Sequence, residues 1–337
     1  MRRTLRGSSY LALFRGLLVL LVVAGATLDP VVALAQQSEP VRVGVLTEGW
    51  GPTPATVGLR DGLQALGYRE GEQFHLGVRF TQGDVGALLP AARELVAAGS
   101  NIIFATSTNA ARAAQQATTV TPIVFTEVVG DPVKLGLVRS FARPGANITG
   151  VSTQALELTS KRLELFKELV PGLKRVLLVY DPSDPDGVAA AQVHREAARH
   201  LGILLVERTP RSQEEAREVI DRVRRSEVDG IVVPPSGMAL NIPGAVLDAT
   251  SRRQIPTMFN AAFWVERGAL AGYGPDFYES GRQAARLVFK ILKGEKPENI
   301  PVENNSRIEF AINLKVARAL KLAPGQALLQ RADRLFE

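Results

Sequence analysis

Small polar and acidic residues follow almost every apolar, strand-like segment of this sequence. Between these segments lie stretches with helical periodicity, so the strands are expected to run parallel. In open parallel sheets, ligands bind beyond the carboxyl ends of the strands. The candidate binding residues are therefore the ones that follow the strands or lie at a crossing between them: Glu48, Trp50, Ser107, Thr108, Asn109, Thr126, Glu127, Thr153, Asp181, Ser183, Ser236, Asn260 and Tyr273.

The densest of these groups is Ser107, Thr108 and Asn109, between an apolar segment and an alanine-rich helical segment. Two interpretations stay open. The side chains can cap the helix, because the first backbone N–H groups of a helix lack partners within it. They can also offer donors to a solute's carboxylate, since the start of a helix favours negative charge.

Several other candidates also allow two interpretations. Trp50 lies in a glycine-rich loop, where it can stack on a planar ligand or cover the edge of the fold. Glu127 can bind an amine or a hydroxyl group, whereas the sequence around Asp131 favours a role in fixing a turn. Tyr273 can reach the site or line a hinge, and Trp264 is expected to be a packing residue.

Sequence signals for catalysis and for metal binding are missing. The chain contains no G-x-S-x-G, no G-x-x-x-x-G-K-[ST] and no G-x-G-x-x-G after its first strand. It has no cysteine and only three histidines, which is a poor supply of nucleophiles and metal ligands. We therefore expect no catalytic residue, no metal and no cofactor.

Strand and helix patterns alternate from residue 41 onward and then start again near residue 174, which predicts an α/β fold with two doubly wound, Rossmann-like lobes. Even local segments correspond, as "TPIVFTE" does to "IPTMFNA". Strands are predicted at 41–46, 74–80, 101–105, 122–126, 148–151, 174–180, 203–208, 229–233, 256–259, 270–273 and 308–312. Helices are predicted at 54–66, 85–98, 109–117, 133–142, 187–200, 212–225, 239–252, 276–293 and 313–320.

The chain lacks any long polar linker, so the lobes must be joined by short crossings, near residues 150–155, 272–276 and 302–306. We predict an N-terminal lobe from residues 41–152 with about 276–303. The C-terminal lobe then takes residues 153–275 with about 304–337.

Residues 1–35 have the three parts of a secretory signal: early arginines, an apolar stretch and Ala33-Leu34-Ala35 before Gln36. An uncleaved membrane anchor is the alternative, although Arg15 interrupts the apolar stretch. Four arginines and one aspartate lie in this segment, so its removal lowers the net charge from +6 to about +3 and leaves little reason to expect nucleic acid as a partner. The absence of cysteine excludes a lipoprotein anchor, which predicts an unanchored periplasmic protein.

Long stretches of the chain resemble a known family. "RVGVLTEG", "GLRDGLQALGYREGEQ", "KRLELFKELVPGLKRVLLVYDP" and above all "GDPVKLGLVRSFARPGANITG" resemble the ABC-transporter substrate-binding proteins that include TrpX-like, tryptophan-binding members. The resemblance implies a type I periplasmic-binding fold with a hinge of three crossings. It also implies a cleft contacted by Ser107, Thr108, Thr126, Thr153, Asp181, Ser236 and Asn260. The loop with Trp50 and the segment "VPPSGMALNIPG" depart from the family pattern, so tryptophan itself is not carried over.

These observations predict a monomeric periplasmic protein that binds a small solute and delivers it to the permease and ATPase of an ABC importer. We expect a carboxylate-bearing solute with an apolar or aromatic body stacked near Trp50. Two alternatives stay open: a receptor module that serves a sensor protein, and an enzyme on a doubly wound fold.

Overall fold

The computed structural model describes residues 39–237 and 242–337. The expected signal segment, residues 1–35, and the start of the expected helix 239–252 lie outside these ranges. Within the two ranges, none of the helices combines the length and the apolar character that crossing a membrane requires.

The first sheet contains six strands within the described residues, and each pair of neighbours in it runs parallel. Its central strands are apolar and buried on both faces, as parallel strands between helical layers must be. In spatial order the strands are β11 (Glu303–Asn304), β5 (Ile148–Ser152), β4 (Ile123–Val128), β3 (Ile102–Ala105), β1 (Val41–Thr47) and β2 (Phe74–Phe80).

The second sheet has seven strands in the described part of the chain, and one of its pairings, β10 with β12, is antiparallel. In spatial order they are β13 (Arg334–Phe336), β12 (Ile308–Asn313), β10 (Ala271–Pro275), β9 (Thr257–Phe259), β8 (Gly230–Val232), β6 (Arg175–Val179) and β7 (Leu204–Arg208). The predicted class, two α/β lobes built on parallel sheets, is confirmed.

The helices begin where the sequence supplies a cap. Ser, Thr, Asp or Asn side chains accept a hydrogen bond from a first-turn N–H group at six of them. The helices are α1 (Pro54–Ala65), α2 (Leu88–Ala97), α3 (Thr108–Ala117), α4 (Thr159–Leu169), α5 (Pro185–Leu201), α6 (Gln213–Arg222), α7 (Pro243–Arg253), α8 (Phe277–Leu292), α9 (Leu314–Ala319) and α10 (Gln326–Arg331), with 3₁₀ turns at Ala262–Trp264 and Pro297–Asn299.

The predicted helix at 133–142 is wrong, because this segment forms consecutive turns. Asp131 Oδ1 accepts the Val133 N–H at 2.8 Å, and Gly136 has a φ of 73°, which ends any helical path. The segment still covers one face of the sheet without forming a helix, since Leu137 and Val138 share a buried core with Ile123 and Ile148. The sequence analysis also missed α4, α10, β11 and β13.

The chain passes between the sheets at residues 153–158, at Asp276 and at residues 305–307. Hydrogen bonds tie these crossings together. Asn305 N–H donates to Ser152 O at 2.7 Å, the Asn305 side chain donates to Asp276 O at 2.9 Å, and Asp276 N–H donates to Arg307 O at 2.9 Å. Three bonded crossings restrict the lobes to hinge rotation about one narrow region.

Helices α1 and α8 approach each other through glycine. A methyl carbon on Gly58 would lie 2.0 Å from Tyr278 O, and one on Gly281 would lie 2.0 Å from Ala55 O. This contact joins the start of the chain's first lobe to the helix that follows the second crossing, so it fixes α8 relative to the hinge.

We expect Gly58→Ala to lower the free energy of unfolding by about 1–3 kcal/mol, the usual cost of overpacking a buried contact. Gly244→Ala in α7 is the matched control, because no atom lies within 4 Å of the added carbon there. Urea unfolding of both variants tests this. Equal stability of Gly58→Ala and the unmutated protein would contradict the close helix contact.

Candidate functional site

The carboxyl ends of the two sheets meet across a cleft, and the cleft contains a small chamber that we call the inner chamber. The cavity has a volume of about 30 Å³ and is lined from both lobes. Its polar and acidic lining residues are Glu48, Ser107, Asn109, Glu127, Thr153, Asp186, Ser236 and Asn260. All of these except Asp186 are among the residues predicted from the sequence.

Glu48 occupies the start of helix α3. Ser107 Oγ donates to Glu48 Oε1 at 2.6 Å and accepts the Ala110 N–H at 3.0 Å, and the Asn109 side chain also hydrogen-bonds to Glu48. Burial raises the pKa of Glu48 above its ordinary value, and these hydrogen bonds offset part of the rise. The capping interpretation of Ser107 therefore describes the geometry, and the carboxylate at this helix start is the protein's own.

Helix α5 brings two further carboxyl groups to the cleft from the second lobe. Asp184 caps the helix by accepting the Asp186 N–H at 3.1 Å. Asp186 is buried and hydrogen-bonds to Thr108 of the first lobe, and burial raises the pKa of Asp186 to about 7. The sequence analysis missed both residues, although "DPSDPDG" directly follows a predicted strand.

Glu127 lies at a bulge in β4, where the pairing with β5 shifts after Phe125. Its backbone has a φ of 56°, a left-handed conformation that costs a non-glycine residue on the order of 1 kcal/mol or more. Glu127 Oε1 is buried without a hydrogen-bond partner in the described chain, and burial raises the pKa of Glu127 to about 8. The carboxyl group is therefore largely protonated at neutral pH.

Two hydroxyl groups near the site also lack partners among the described residues. Ser236 Oγ lines the inner chamber, and the Ser236 residue is only 6% exposed. Thr126 Oγ1 is buried at the end of β4 and is not among the lining atoms of the chamber. Thr153, which does line it, donates its hydroxyl to Val128 O at 3.1 Å.

A second cavity, the outer chamber, adjoins the inner one through Glu127 and Phe277, which line both. Its volume is about 390 Å³, and its aromatic lining consists of Trp50, Phe263, Trp264 and Phe277. Trp50 is 55% exposed and faces this space, as its predicted stacking role requires. Trp264 packs on Phe259 and Phe263 as expected, but it also lines the chamber; the roles of Phe263 and Phe277 were missed.

Five predicted residues are not among those that line either chamber: Thr108, Thr126, Asp181, Ser183 and Tyr273. The Tyr273 ring packs against Phe310 in the core of the second lobe, with ring centroids 6.3 Å apart, and does not face either chamber. Its carbonyl accepts a hydrogen bond from the buried Arg162. Asp181 accepts the Ser183 hydroxyl at 2.7 Å in an exposed turn, and Asp181 lines a small adjacent cavity with Glu48 and Asp184.

The lobes touch each other across the cleft. Gln213 Nε2 donates to Gln82 O at 3.1 Å, and Thr108 hydrogen-bonds to Asp186. Gly237 lies so close to Glu48 that a methyl carbon on it would be 2.5 Å from Glu48 Oε2. The structure therefore shows the cleft in a closed arrangement.

Within the described ranges, no three histidine or acidic residues are placed to hold a metal ion. Glu48 and Asp186 instead contact hydroxyl and amide groups, and the positive charge of Arg112 acts on Asp186.

We expect Glu127→Gln to flatten the pH dependence of stability. The folded pKa of about 8 lies above the ordinary value of 4.5, so the folded state holds a proton that the unfolded state has lost. Stability should therefore fall as pH rises from about 5 to about 8, and the variant should remove much of that slope. Urea unfolding at several pH values tests this against the exposed control Glu295→Gln. Parallel slopes for all three proteins would contradict the buried state of Glu127.

Comparison with known proteins agrees with this architecture. The family model described as ABC transporter substrate binding protein matches residues 40–336. A tyrosine-binding protein from Clostridioides difficile is 27% identical over 288 residues, which is 86% of this chain and 82% of that protein.

Solved structures of similar proteins extend the comparison. A conserved domain protein from Vibrio cholerae is 30% identical, with 88% of this chain and 99% of that chain covered and a TM-score of 0.77. A Streptococcus pneumoniae ABC domain in complex with L-Trp is 26% identical, with 88% and 100% covered and a TM-score of 0.78. A ligand-free, open substrate-binding protein from Clostridium difficile is 25% identical, with 88% and 99% covered, but its TM-score is 0.61. With the closed cleft and its two chambers, these matches show that the chain belongs to the ABC transporter substrate-binding protein family.

Proposed function

We propose that this protein is the solute-binding component of an ABC importer. It captures a small organic solute of the amino-acid type, with an aromatic or apolar body, in the cleft between its lobes. It then presents the solute, without chemical turnover, to a membrane permease and its ATPase. Residues 1–35 direct its export, so that it acts in the periplasm.

The observation that carries this proposal is the pairing of two unlike chambers in one cleft. The outer chamber has a volume of about 390 Å³ and four aromatic lining residues, which suits a ring-bearing body. The inner chamber is polar and small. A solute with a compact charged head and an aromatic body matches this division.

The hinge supplies the mechanism. Contacts from both lobes to one solute favour the closed arrangement over the open one, and a permease can then distinguish loaded from empty protein. In keeping with this, the chain is more similar overall to the tryptophan-bound relative than to the open, ligand-free one, at nearly equal sequence identity.

The relatives support an amino-acid-type solute, since one is named for tyrosine and another was solved with L-Trp. An amino acid bears the carboxylate that the sequence led us to expect, and it adds an ammonium group. The tightest solute among free amino acids is expected to have an aromatic side chain.

We expect Trp50→Ala to weaken binding of aromatic solutes about ten- to a hundredfold, because it removes an aromatic contact surface. Trp50 is more than half exposed, so the change should leave folding intact. Titration calorimetry with tyrosine, tryptophan and phenylalanine tests this. The control is Tyr68→Ala, which removes an aromatic residue packed on Phe289 away from the cleft. Equal affinities for Trp50→Ala and the unmutated protein would place the solute outside the outer chamber.

A thermal-shift screen identifies the solute first. A ligand at one hundred times its Kd adds about 2.7 kcal/mol to the free energy of unfolding, or roughly 4 °C for a chain of this size. The panel holds amino acids, aromatic acids, branched acids, nucleosides and sugars. Shifts confined to sugars or nucleosides would contradict the aromatic amino-acid class.

Delivery is tested in cells. Deleting the gene should abolish high-affinity uptake of the identified solute, and a plasmid copy should restore it. A Trp50→Ala copy should restore uptake only at raised solute concentration. Unchanged uptake with a lost transcriptional response would contradict transport and favour the receptor module.

A further inference from the structure

We propose that the inner chamber is an ammonium site, so that the protein selects primary amines with an aromatic body and gives their carboxylate, if any, no place in this chamber. This inference rests on the proposed function and names the head group that decides affinity. Tyramine and tryptamine, which are aromatic amines without a carboxylate, are thus expected ligands.

The charges around the inner chamber are one-sided. Glu48, Glu127 and Asp186 line it, whereas no lysine, arginine or histidine does so among the described residues. The favoured place for an anion, the start of helix α3, is already filled by Glu48 through Ser107. A solute's carboxylate entering the chamber would find no cationic side chain among these lining residues, whereas an ammonium group would find three carboxyl groups and would favour their ionised forms.

Two acceptors inside the chamber are unused within the described chain. Glu127 Oε1 is buried without a partner, and so is Ser236 Oγ on a residue that is 6% exposed. A buried polar atom left without a hydrogen bond is costly. An ammonium group has three donors, which is enough to supply a hydrogen bond to each of these two oxygens. Glu127 also lines the outer chamber. A solute whose ammonium group binds to Glu127 can therefore extend its body along the aromatic lining of the outer chamber.

The size of the inner chamber restricts the head group further. A cavity of about 30 Å³ accepts a group comparable to a water molecule. An ammonium group has that size, so it is the part of an amino-acid head group that this chamber suits best. The carboxylate of an amino acid would then stay on the side of the outer chamber, where Arg217 belongs to the lining.

The titratable groups around the chamber make binding depend on pH. Glu48 faces Ser107, Asn109 and Asp184, while Asp186 faces Thr108, Asp184, Arg112 and Glu48; Glu127 shares the outer chamber with Arg217. Burial raises the pKa of Asp186 to about 7 and that of Glu127 to about 8. A bound ammonium group favours the ionised carboxylates, so binding at pH 6.5 must release protons. The Kd for an amine should therefore rise as pH falls from about 8 to about 6.

The experiment compares matched compounds that differ only in the head group. One set is L-tyrosine, tyramine and 3-(4-hydroxyphenyl)propionate, and the other is L-tryptophan, tryptamine and indole-3-propionate. Calorimetry at pH 8 should give amines with a Kd within about tenfold of the amino acids, and acids at least a hundredfold weaker. Calorimetry at pH 6.5 in buffers of different ionisation enthalpy should show proton release for the amines.

Glu127→Gln keeps the shape of the side chain and removes its charge, and Glu295→Gln is the exposed control. The first variant should weaken amine binding at least tenfold and reduce proton release, whereas the second should change neither. Acids that bind as tightly as amines, or an amine preference unchanged in Glu127→Gln, would overturn the ammonium site and leave the aromatic solute class standing. If none of the six compounds binds, the proposed aromatic solute class itself fails.

Discussion

The arrangement of the cleft depends on the interactions that keep the Glu48 carboxyl group in place. One hydrogen bond from Ser107 joins the end of β1 to the start of α3, and the helix start supplies the field that a buried carboxylate needs. Ser107 thereby serves as cap and as donor at once. Because this carboxylate is held in place, only a small residue of the second lobe can lie against it in the closed arrangement. That residue is Gly237. Asp184 adds a like charge from the second lobe, so closure brings acidic groups together in a buried space.

Rotation at the hinge can separate these acidic groups again when the lobes open. Asn305 of the third crossing hydrogen-bonds to Ser152, where the first crossing begins, and to Asp276 of the second crossing. Hydrogen bonds therefore connect all three crossings. The glycine contact between α1 and α8 fixes the first lobe rigidly up to the second crossing. Rotation is therefore confined to few residues, and small differences in cleft interactions suffice to shift the balance between open and closed arrangements.

Sequence alone predicted the two lobes and most of the inner chamber, because parallel strands place their following residues at one edge. It predicted Ser107, Ser236 and Asn260 on that basis. It misplaced Tyr273, since the alternation of side chains along β10 decides which face a residue takes, and register is not readable from local pattern. It missed Asp186, because only the first residues after that strand, Asp181 and Ser183, were selected. It also could not show that the Ser107 hydroxyl donates its hydrogen bond to Glu48.

Glu127 shows why some features need the folded chain. The sequence indicates only an acid after a strand, suited to an amine or a hydroxyl. The structure adds a bulge, a left-handed backbone and an oxygen without a partner in the described chain. Strain and an unmet hydrogen bond both act against folding, so neither supports the lobe by itself. Both are accounted for if Glu127 is kept available for a donor that arrives with the solute, since Glu127 lines the polar and the aromatic chamber alike.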